Sequence, residues 1–303
     1  MTDLQDARQK CGFAAVIGAP NAGKSTLINH LVGAKVSIVT HKVQTTRTRV
    51  LGIAVADETQ VVFVDTPGIF MPKKRLDRAM VGAAWQGAKD ADLVLLLVDA
   101  QAGVTKDVAA IVDKLHDDKR QAVLVLNKVD GMKRDKLLGL TAALNEKHEF
   151  TDTFMISALN GSGTDDLMAF IVCRMPEGPW LFLDDQLSDM PQRLLAAEIT
   201  REKLFLNVHQ ELPYALTVET DTWKNTKDGG VRIEQTIYVQ RESQRSILLG
   251  KGGSKIKTIG SAARHELSGI LECPVHLFLF VKVRDGWQDD PERYRVWNLD
   301  FDT

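Results

Sequence analysis

Two glycine-rich, lysine-bearing segments stand far apart in the sequence, GAPNAGKS at residues 18–25 and LLGKGG at 248–253, and both carry residue types suited to holding phosphate. The first fits G-x-x-x-x-G-K-[ST] and lies between a strand-like FAAVIG and a helix-like STLINHLVG, the context in which that pattern cradles phosphates. Its glycines let an anion approach successive backbone N–H groups at a helix N-terminus, Lys24 can reach the β/γ oxygens, and the Ser25 hydroxyl can ligate Mg²⁺. The second segment fails the same pattern twice, with Arg245 where Gly is needed and Gly252 where Ser or Thr is needed. What remains is G-x-x-G at 250–253 ahead of a helix beginning near Ser254, with Gly250, Gly252 and Gly253 interleaved by Lys251 and followed by Lys255 and Lys257. A loop of this form between helices clamps about four nucleotides of single-stranded nucleic acid. Ile247, Leu248, Ile256 and Ile259 are expected on its buried side.

Other strings specify what the first loop holds. DTPG at 65–68 leaves a strand, so that Asp65 can hold a water of the Mg²⁺ shell and the Gly68 N–H can sense a γ-phosphate. NKVD at 127–130 selects the base, because guanine N1–H and N2–H₂ form a paired donor edge that the Asp130 carboxylate accepts, and adenine has none. Charged hydrogen bonds of that kind contribute about 1.5–3 kcal/mol each, enough to discriminate. Asn127 can reach N7 and tie the loop back, the Lys128 stem can lie over the ring, and in SAL at 157–159 the Ala158 N–H can meet guanine O6. Between these segments a switch threonine must ligate Mg²⁺ and touch the γ-phosphate; Thr46 is chosen, with Thr45 the neighbouring alternative. After DTPG stands Ile69, where Ras-like proteins place the glutamine that orients water, so slow intrinsic hydrolysis is expected. An RNA-binding module with a silent nucleotide site, and a membrane-associated GTPase whose basic loop meets anionic lipid, are the competing readings.

These residues must be positioned by two folded units, the usual outcome for 303 residues at about 100–200 per domain. From 12 to 175, β-branched runs alternate with helical stretches, giving an α/β sheet covered on both faces. The strands are read at 13–18, 49–56, 60–65, 92–99, 121–127 and 153–157, with the second and third forming a hairpin. Most end in a polar residue, which puts Asp65, Asp99, Asn127 and Ser157 at strand tips, where open α/β sheets bind ligands. MPEGPWLFLDDQLSDMP changes the texture and reads as a linker, so the division is a nucleotide-binding domain at 1–175, a linker and helix start at 176–200, and a second domain with its tail at 201–303. The second domain orders its elements α-β-β-α-β.

The net charge of −2 conceals a local asymmetry: residues 241–265 carry six basic side chains against one acid, whereas the tail from 285 is acidic. A solvated helix face serves such a basic run equally well on charge alone. With no run of about 18 apolar residues and no signal-type N-terminus, a cytoplasmic protein is expected. Cys11, Cys173 and Cys273 are widely spaced and fit neither a disulfide framework nor a zinc site.

GAPNAGKST, QTTR, DTPG, NKVD and SAL in that order, followed by SDMPQRLLAAEITREKLFLNVHQELPYALTVE, ILLGKGGSKIKTIG and LFVKVRDGW, resemble the bacterial Era GTPase family over nearly the whole chain. The resemblance implies a Ras-like P-loop domain with a mixed six-stranded sheet, followed by an α+β type II KH domain. The implied nucleotide site, for GTP/GDP with Mg²⁺, comprises Gly18, Asn21, Ala22, Gly23, Lys24, Ser25, Thr26, Asp65, Gly68, Asn127, Lys128, Asp130, Ser157, Ala158 and Leu159. Lys24, Thr46 and Gly68 take the catalytic roles, Ser25, Thr46 and Asp65 hold the metal, and Asn21 matches a position that holds K⁺ in related GTPases. RNA binding is implied at Gly250, Lys251, Gly252, Gly253, Lys255 and Lys257. The implied partners are the 3′ end of 16S rRNA and the 30S subunit, with peripheral attachment to the cytoplasmic face of the inner membrane and a monomeric state. The path of the switch segment around Val43 is left open by the resemblance.

Overall fold

The computed structural model describes residues 9–42, 44–208 and 212–302. The first eight residues, on which the signal-segment expectation rests, and Val43 lie outside the described residues. The chain forms two units, one comprising residues up to Asp189 together with Tyr294 onward, the other Met190–Arg293.

In the first unit the strands are β1 (Lys10–Ile17), β2 (Val50–Ala56), β3 (Thr59–Asp65), β4 (Leu93–Asp99), β5 (Val123–Asn127) and β6 (Thr153–Met155). They form one sheet in the order β2-β3-β1-β4-β5-β6. Only β2 runs antiparallel, paired with β3 as the expected hairpin. Helices α1 (Lys24–Val32) and α5 (Thr164–Arg174) cover one face, and α2 (Arg75–Asp90), α3 (Lys106–Asp117) and α4 (Arg134–Asn145) the other. This explains why LVLLLV is apolar without alternation. Leu95 and Leu97 pack toward α1 and α5, whereas Leu96 and Val98 pack toward the opposite helices, so both faces of β4 are interior. Burial of each such side chain contributes about 1.5–3 kcal/mol.

The segment read as a linker is instead a strap on the first unit as far as Asp189. Trp180 and Phe182 pack on Cys11, Leu51 and Val62. Gln60, fully buried on β3, accepts from the Leu181 and Phe182 N–H groups at 2.9 and 3.0 Å and donates to the Phe182 carbonyl at 2.9 Å. Further along, the Ile53 N–H donates to the Leu187 carbonyl and Ser188 Oγ to the Leu51 carbonyl, which extends the sheet at its β2 edge. A buried glutamine requires partners, and the strap's backbone supplies them. The tail likewise departs from the expected division, since Tyr294 onward groups with the first unit.

The second unit contains α6 (Gln192–Asn207), β7 (Leu216–Asn225), β8 (Val231–Val239), α7 (Glu242–Leu249), α8 (Ser254–Ile270) and β9 (Val275–Val283). β8 is central, antiparallel to β7 and parallel to β9. The order is therefore α-β-β-α-α-β. The extra helix, α7, is eight residues long and lies inside the basic run. Leu204, Phe205, Ile237, Val239, Leu248 and Ile259 form its core. A short helix α9 (Pro291–Val296) spans the return to the first unit.

Candidate functional site

The loop between β1 and α1 is built around glycines that no other residue can replace. Gly18 has φ +153°, and a Cβ there would lie 2.3 Å from the Leu97 carbonyl oxygen; at Gly23, φ +99°, it would lie 2.3 Å from Asn127 Nδ2. Asn127 at the tip of β5 is 2% exposed and bridges two loops. Its Nδ2 donates to the Ala22 carbonyl at 2.8 Å, and its Oδ1 accepts from the Ala158 N–H at 2.9 Å. The Ala158 N–H, expected to meet guanine O6, here donates to Asn127.

Lys24, the first residue of α1, turns back over its own loop and donates to the carbonyls of Gly18 and Ala19, both at 3.1 Å. Burial pushes its ammonium down to about 8, with the Asp65 carboxylate opposing the shift. Asp65, at the tip of β3 and fully buried, accepts from Ser25 Oγ and Ser37 Oγ at 2.7 Å each, and from Thr46 Oγ1 at 3.4 Å. Burial raises its carboxyl above the usual carboxylate range, opposed by those hydroxyls and by Lys24. Its Oδ1 is buried without a hydrogen-bond partner. Ser25 Oγ and Thr46 Oγ1 stand 3.0 Å apart. Three hard oxygen donors and one orphaned carboxylate oxygen therefore converge, a donor set that fits Mg²⁺ held partly through water. The Thr45 hydroxyl donates instead to the Lys42 carbonyl at 2.6 Å.

A cavity of about 610 Å³ opens in front of this cluster. Asn21, Gly23, Lys24, Ser25, Thr26, Thr46 and Gly68 line one part, and Asn127, Lys128, Asp130, Ser157, Ala158 and Leu159 another. Gly18, Ala22 and Asp65 are absent from its lining and lie behind it. Gly68 must approach Pro20, since a Cβ there would meet three Pro20 atoms at 3.0 Å. Ile69 is buried in the core, with its N–H on the Gly18 carbonyl at 3.1 Å, so its side chain is directed away from the cavity.

Several residues of the site had no local signal in the sequence. Ser37 and Gln101 are two; Asp99 is expected at a strand tip, but not as the partner of Lys128. Lys128 Nζ pairs with Asp99 Oδ2 at 2.6 Å and the Asn21 carbonyl at 2.7 Å, and Gln101 Nε2 donates to the Lys128 carbonyl at 3.2 Å. Lys128 thus ties the base loop to the phosphate loop, beyond the stacking role expected of its stem. Gln44 donates to Asp77 Oδ1 at 2.8 Å, while Asp77 Oδ2 accepts from the Lys73 and Lys74 N–H groups, linking the switch threonine segment to the start of α2.

In the second unit, Gly250, Gly252 and Gly253 all have positive φ, +70°, +60° and +77°. Gly253 caps α8, whose N-terminus opens toward the loop. Lys251 and Lys257 are exposed, and Lys255 is half-buried with its Cβ close to Gly250. Leu248 and Ile259 are buried and Ile256 packs partly, but Ile247 is 52% exposed, against expectation. Adjacent helical residues point about 100° apart, so Leu248 and Ile247 cannot share the core face of so short a helix. Arg245 is paired with Glu242 at 2.8 Å on the exposed side of α7.

Residues 13–128 match the family described as 50S ribosome-binding GTPase, and residues 211–288 match the KH domain. The GTPase Era of Sinorhizobium medicae is 64% identical over 292 residues, 96% of this chain and 94% of that protein; the GTPase Era of Agrobacterium fabrum is 62% identical over 96% and 92%. The chain belongs to the Era GTPases. A solved Era structure, in complex with MgGDPNP and nucleotides 1506–1542 of 16S ribosomal RNA, superposes with a TM-score of 0.90 at 40% identity, covering 96% of this chain and 99% of that one. A variant of Aquifex aeolicus Era bound to GDP·AlF₄⁻ gives the same TM-score and identity over 95% and 99%. The Era family assignment makes this chain a GTPase, an enzyme that hydrolyses GTP, with a Ras-like domain and a KH domain. Among the described residues no helix is long and apolar enough to cross a membrane.

Proposed function

We propose that this Era GTPase binds the 3′ end of 16S rRNA through its 250–253 loop and acts as a GTP-dependent factor in assembly of the 30S subunit. The observation that carries this reading is the pairing of a positive-φ GKGG loop at a helix N-terminus with the solved Era complex that holds nucleotides 1506–1542. In the nucleotide site, Ser25 and Thr46 would ligate Mg²⁺ and Asp65 would hold one of its waters; the ion supplies charge neutralisation at the β/γ-phosphates. Lys24 donates to phosphate oxygens once these replace the Gly18 and Ala19 carbonyls as acceptors. Asp130 accepts the guanine donor edge, and the Gly68 N–H and Thr46 meet the γ-phosphate. Because Ile69 is turned into the core, the attacking water is oriented by backbone groups, by a K⁺ ion at Asn21 or by a partner, and intrinsic turnover is slow. Asn21 supports the K⁺ assignment by standing on the cavity with φ +62°.

Fluorescence anisotropy with a single-stranded RNA of the 16S 3′-end sequence, and with a scrambled strand, tests the RNA assignment. Tight binding of the first only, lost in Gly253→Asp, is expected; equal binding of both strands would sink it. Replacing K⁺ by Na⁺ in the hydrolysis assay tests Asn21, with slower turnover expected. Peripheral attachment to the inner membrane and the monomeric state rest on the family resemblance; flotation with inner-membrane vesicles and sedimentation test them.

A further inference from the structure

The tail that returns to the nucleotide-binding unit buries three large side chains there. Tyr294, Trp297 and Leu299 are 0%, 7% and 7% exposed. Tyr294 lies edge-on to Phe301 with ring centroids 5.0 Å apart and tilted against Trp297 at 6.5 Å, so the rings form one cluster. Two guanidinium groups lie over that cluster, Arg47 at 5.9 Å from the Trp297 centroid and Arg75 at 4.5 Å from that of Phe301. Both arginines occupy switch positions. Arg47, 2% exposed, directly follows Thr46, whose hydroxyl meets Ser25 and Asp65. Arg75 is the first residue of α2, two residues before the Asp77 that receives Gln44.

We propose that the aromatic tail is a positioning element for GTP hydrolysis: Trp297, through Arg47, holds Thr46 in the arrangement that serves Mg²⁺ and the γ-phosphate, and Phe301, through Arg75, braces the start of α2. The inference rests on the assignment of Thr46 as the switch threonine. Position 69 contributes no polar side chain, so placement of the switch backbone carries more of the transition-state geometry here than in a glutamine-bearing GTPase. A cation over an aromatic face strengthens when desolvated, and Arg47 is buried. Only the triphosphate requires an ordered switch threonine. The tail therefore favours the GTP-bound state over the GDP-bound state, and by reciprocity GTP tightens the tail.

Wild type, Trp297→Ala, Trp297→Phe and Thr46→Ala, each as the full chain, are compared by Kd for GDP and for a non-hydrolysable GTP analogue, and by kcat and KM. Trp297→Ala is expected to lower kcat and weaken the analogue by about 2- to 30-fold, the range for losing a cation–π contact. GDP affinity is expected to stay within about twofold, and Trp297→Phe to recover most of the loss. In wild type, amide hydrogen exchange over the tail is expected to be slower with the analogue than with GDP. Equal losses for GDP and analogue, or tail exchange indifferent to nucleotide, would mark a merely structural tail and overturn the proposal. An intact kcat in Thr46→Ala would instead remove the assignment beneath it. Should Trp297→Ala not fold, Arg75→Gln on the exposed contact and the wild-type exchange experiment decide the matter.

Discussion

Asn127 and Ala158 are joined by a 2.9 Å hydrogen bond from backbone N–H to Oδ1, and the same side chain donates to Ala22 at 2.8 Å, so one buried amide fixes the phosphate loop, the NKVD loop and the SAL loop together. Asn127→Ala removes both bonds and leaves a buried N–H and carbonyl unpaired, at about 1–3 kcal/mol each. The expected result is a fall of at least about 30-fold in affinity for GDP and GTP alike, read by nucleotide titration. Unequal losses would place the role of Asn127 on the γ-phosphate side instead.

The buried Lys24 gives nucleotide binding a defined pH dependence. Its ammonium is pushed down to about 8 in the folded protein, whereas the unfolded chain keeps the ordinary value of 10.5. Between these values the unfolded chain holds a proton that the nucleotide-free fold has lost, so this group's contribution to stability rises with pH across that window. Bound phosphates favour the charged amine and reverse the preference. Above pH 8, nucleotide binding is expected to take up a proton and to weaken as pH rises, measured by titration calorimetry in buffers of different ionisation enthalpy. Lys24→Met should abolish the uptake along with most of the affinity.

Much of this molecule was legible in the residues because the informative signals are local. The unbroken LVLLLV of β4 marks a strand interior on both faces, and a polar residue closing an apolar run placed Asp65 and Asn127 at strand tips beside the cavity. What escaped depends on contacts between distant segments. Ser37 meets Asp65 from 28 residues away, and Asp99 meets Lys128 across 29, with no pattern linking either pair in the sequence. The proline-rich segment after 175 has the composition of a linker, and only its pairing with Gln60 and β2 makes it part of the first unit. Helix α7 was obscured for a different reason: ESQRSILL is only eight residues long, and the polar ESQRS ahead of the glycine loop reads as part of that loop.

That strap yields a stability prediction. Gln60 is fully buried and makes three hydrogen bonds to Leu181 and Phe182. Gln60→Leu keeps the volume but strands two N–H groups and a carbonyl, an expected loss of about 2–4 kcal/mol. Chemical denaturation should show a lower midpoint with an unchanged slope, and limited proteolysis should cut between 176 and 189 first. An unchanged midpoint would mean the strap's backbone finds water as readily as it finds Gln60.

The glycines of the second loop are expected to respond differently to the same substitution. At Gly250 a Cβ would stand 2.8 Å from Lys255 Cβ, a contact neither backbone can relieve cheaply, and φ is +70°. Gly250→Ala should therefore lower the melting temperature of the second unit as well as RNA binding. At Gly253 φ is +77° but nothing lies within 4 Å, so Gly253→Ala costs only the left-handed conformation, about 1–2 kcal/mol. Gly253→Asp separates folding from binding more sharply. An acid at the cap of α8 favours the helix dipole, offsetting part of that strain, while its charge repels any phosphate drawn to the same N-terminus. The expected outcome is a melting temperature close to that of Gly253→Ala together with loss of 16S 3′-end binding, and unchanged GTP hydrolysis without RNA. If Gly253→Asp binds RNA as well as Gly253→Ala does, the phosphate backbone does not pass over the α8 N-terminus.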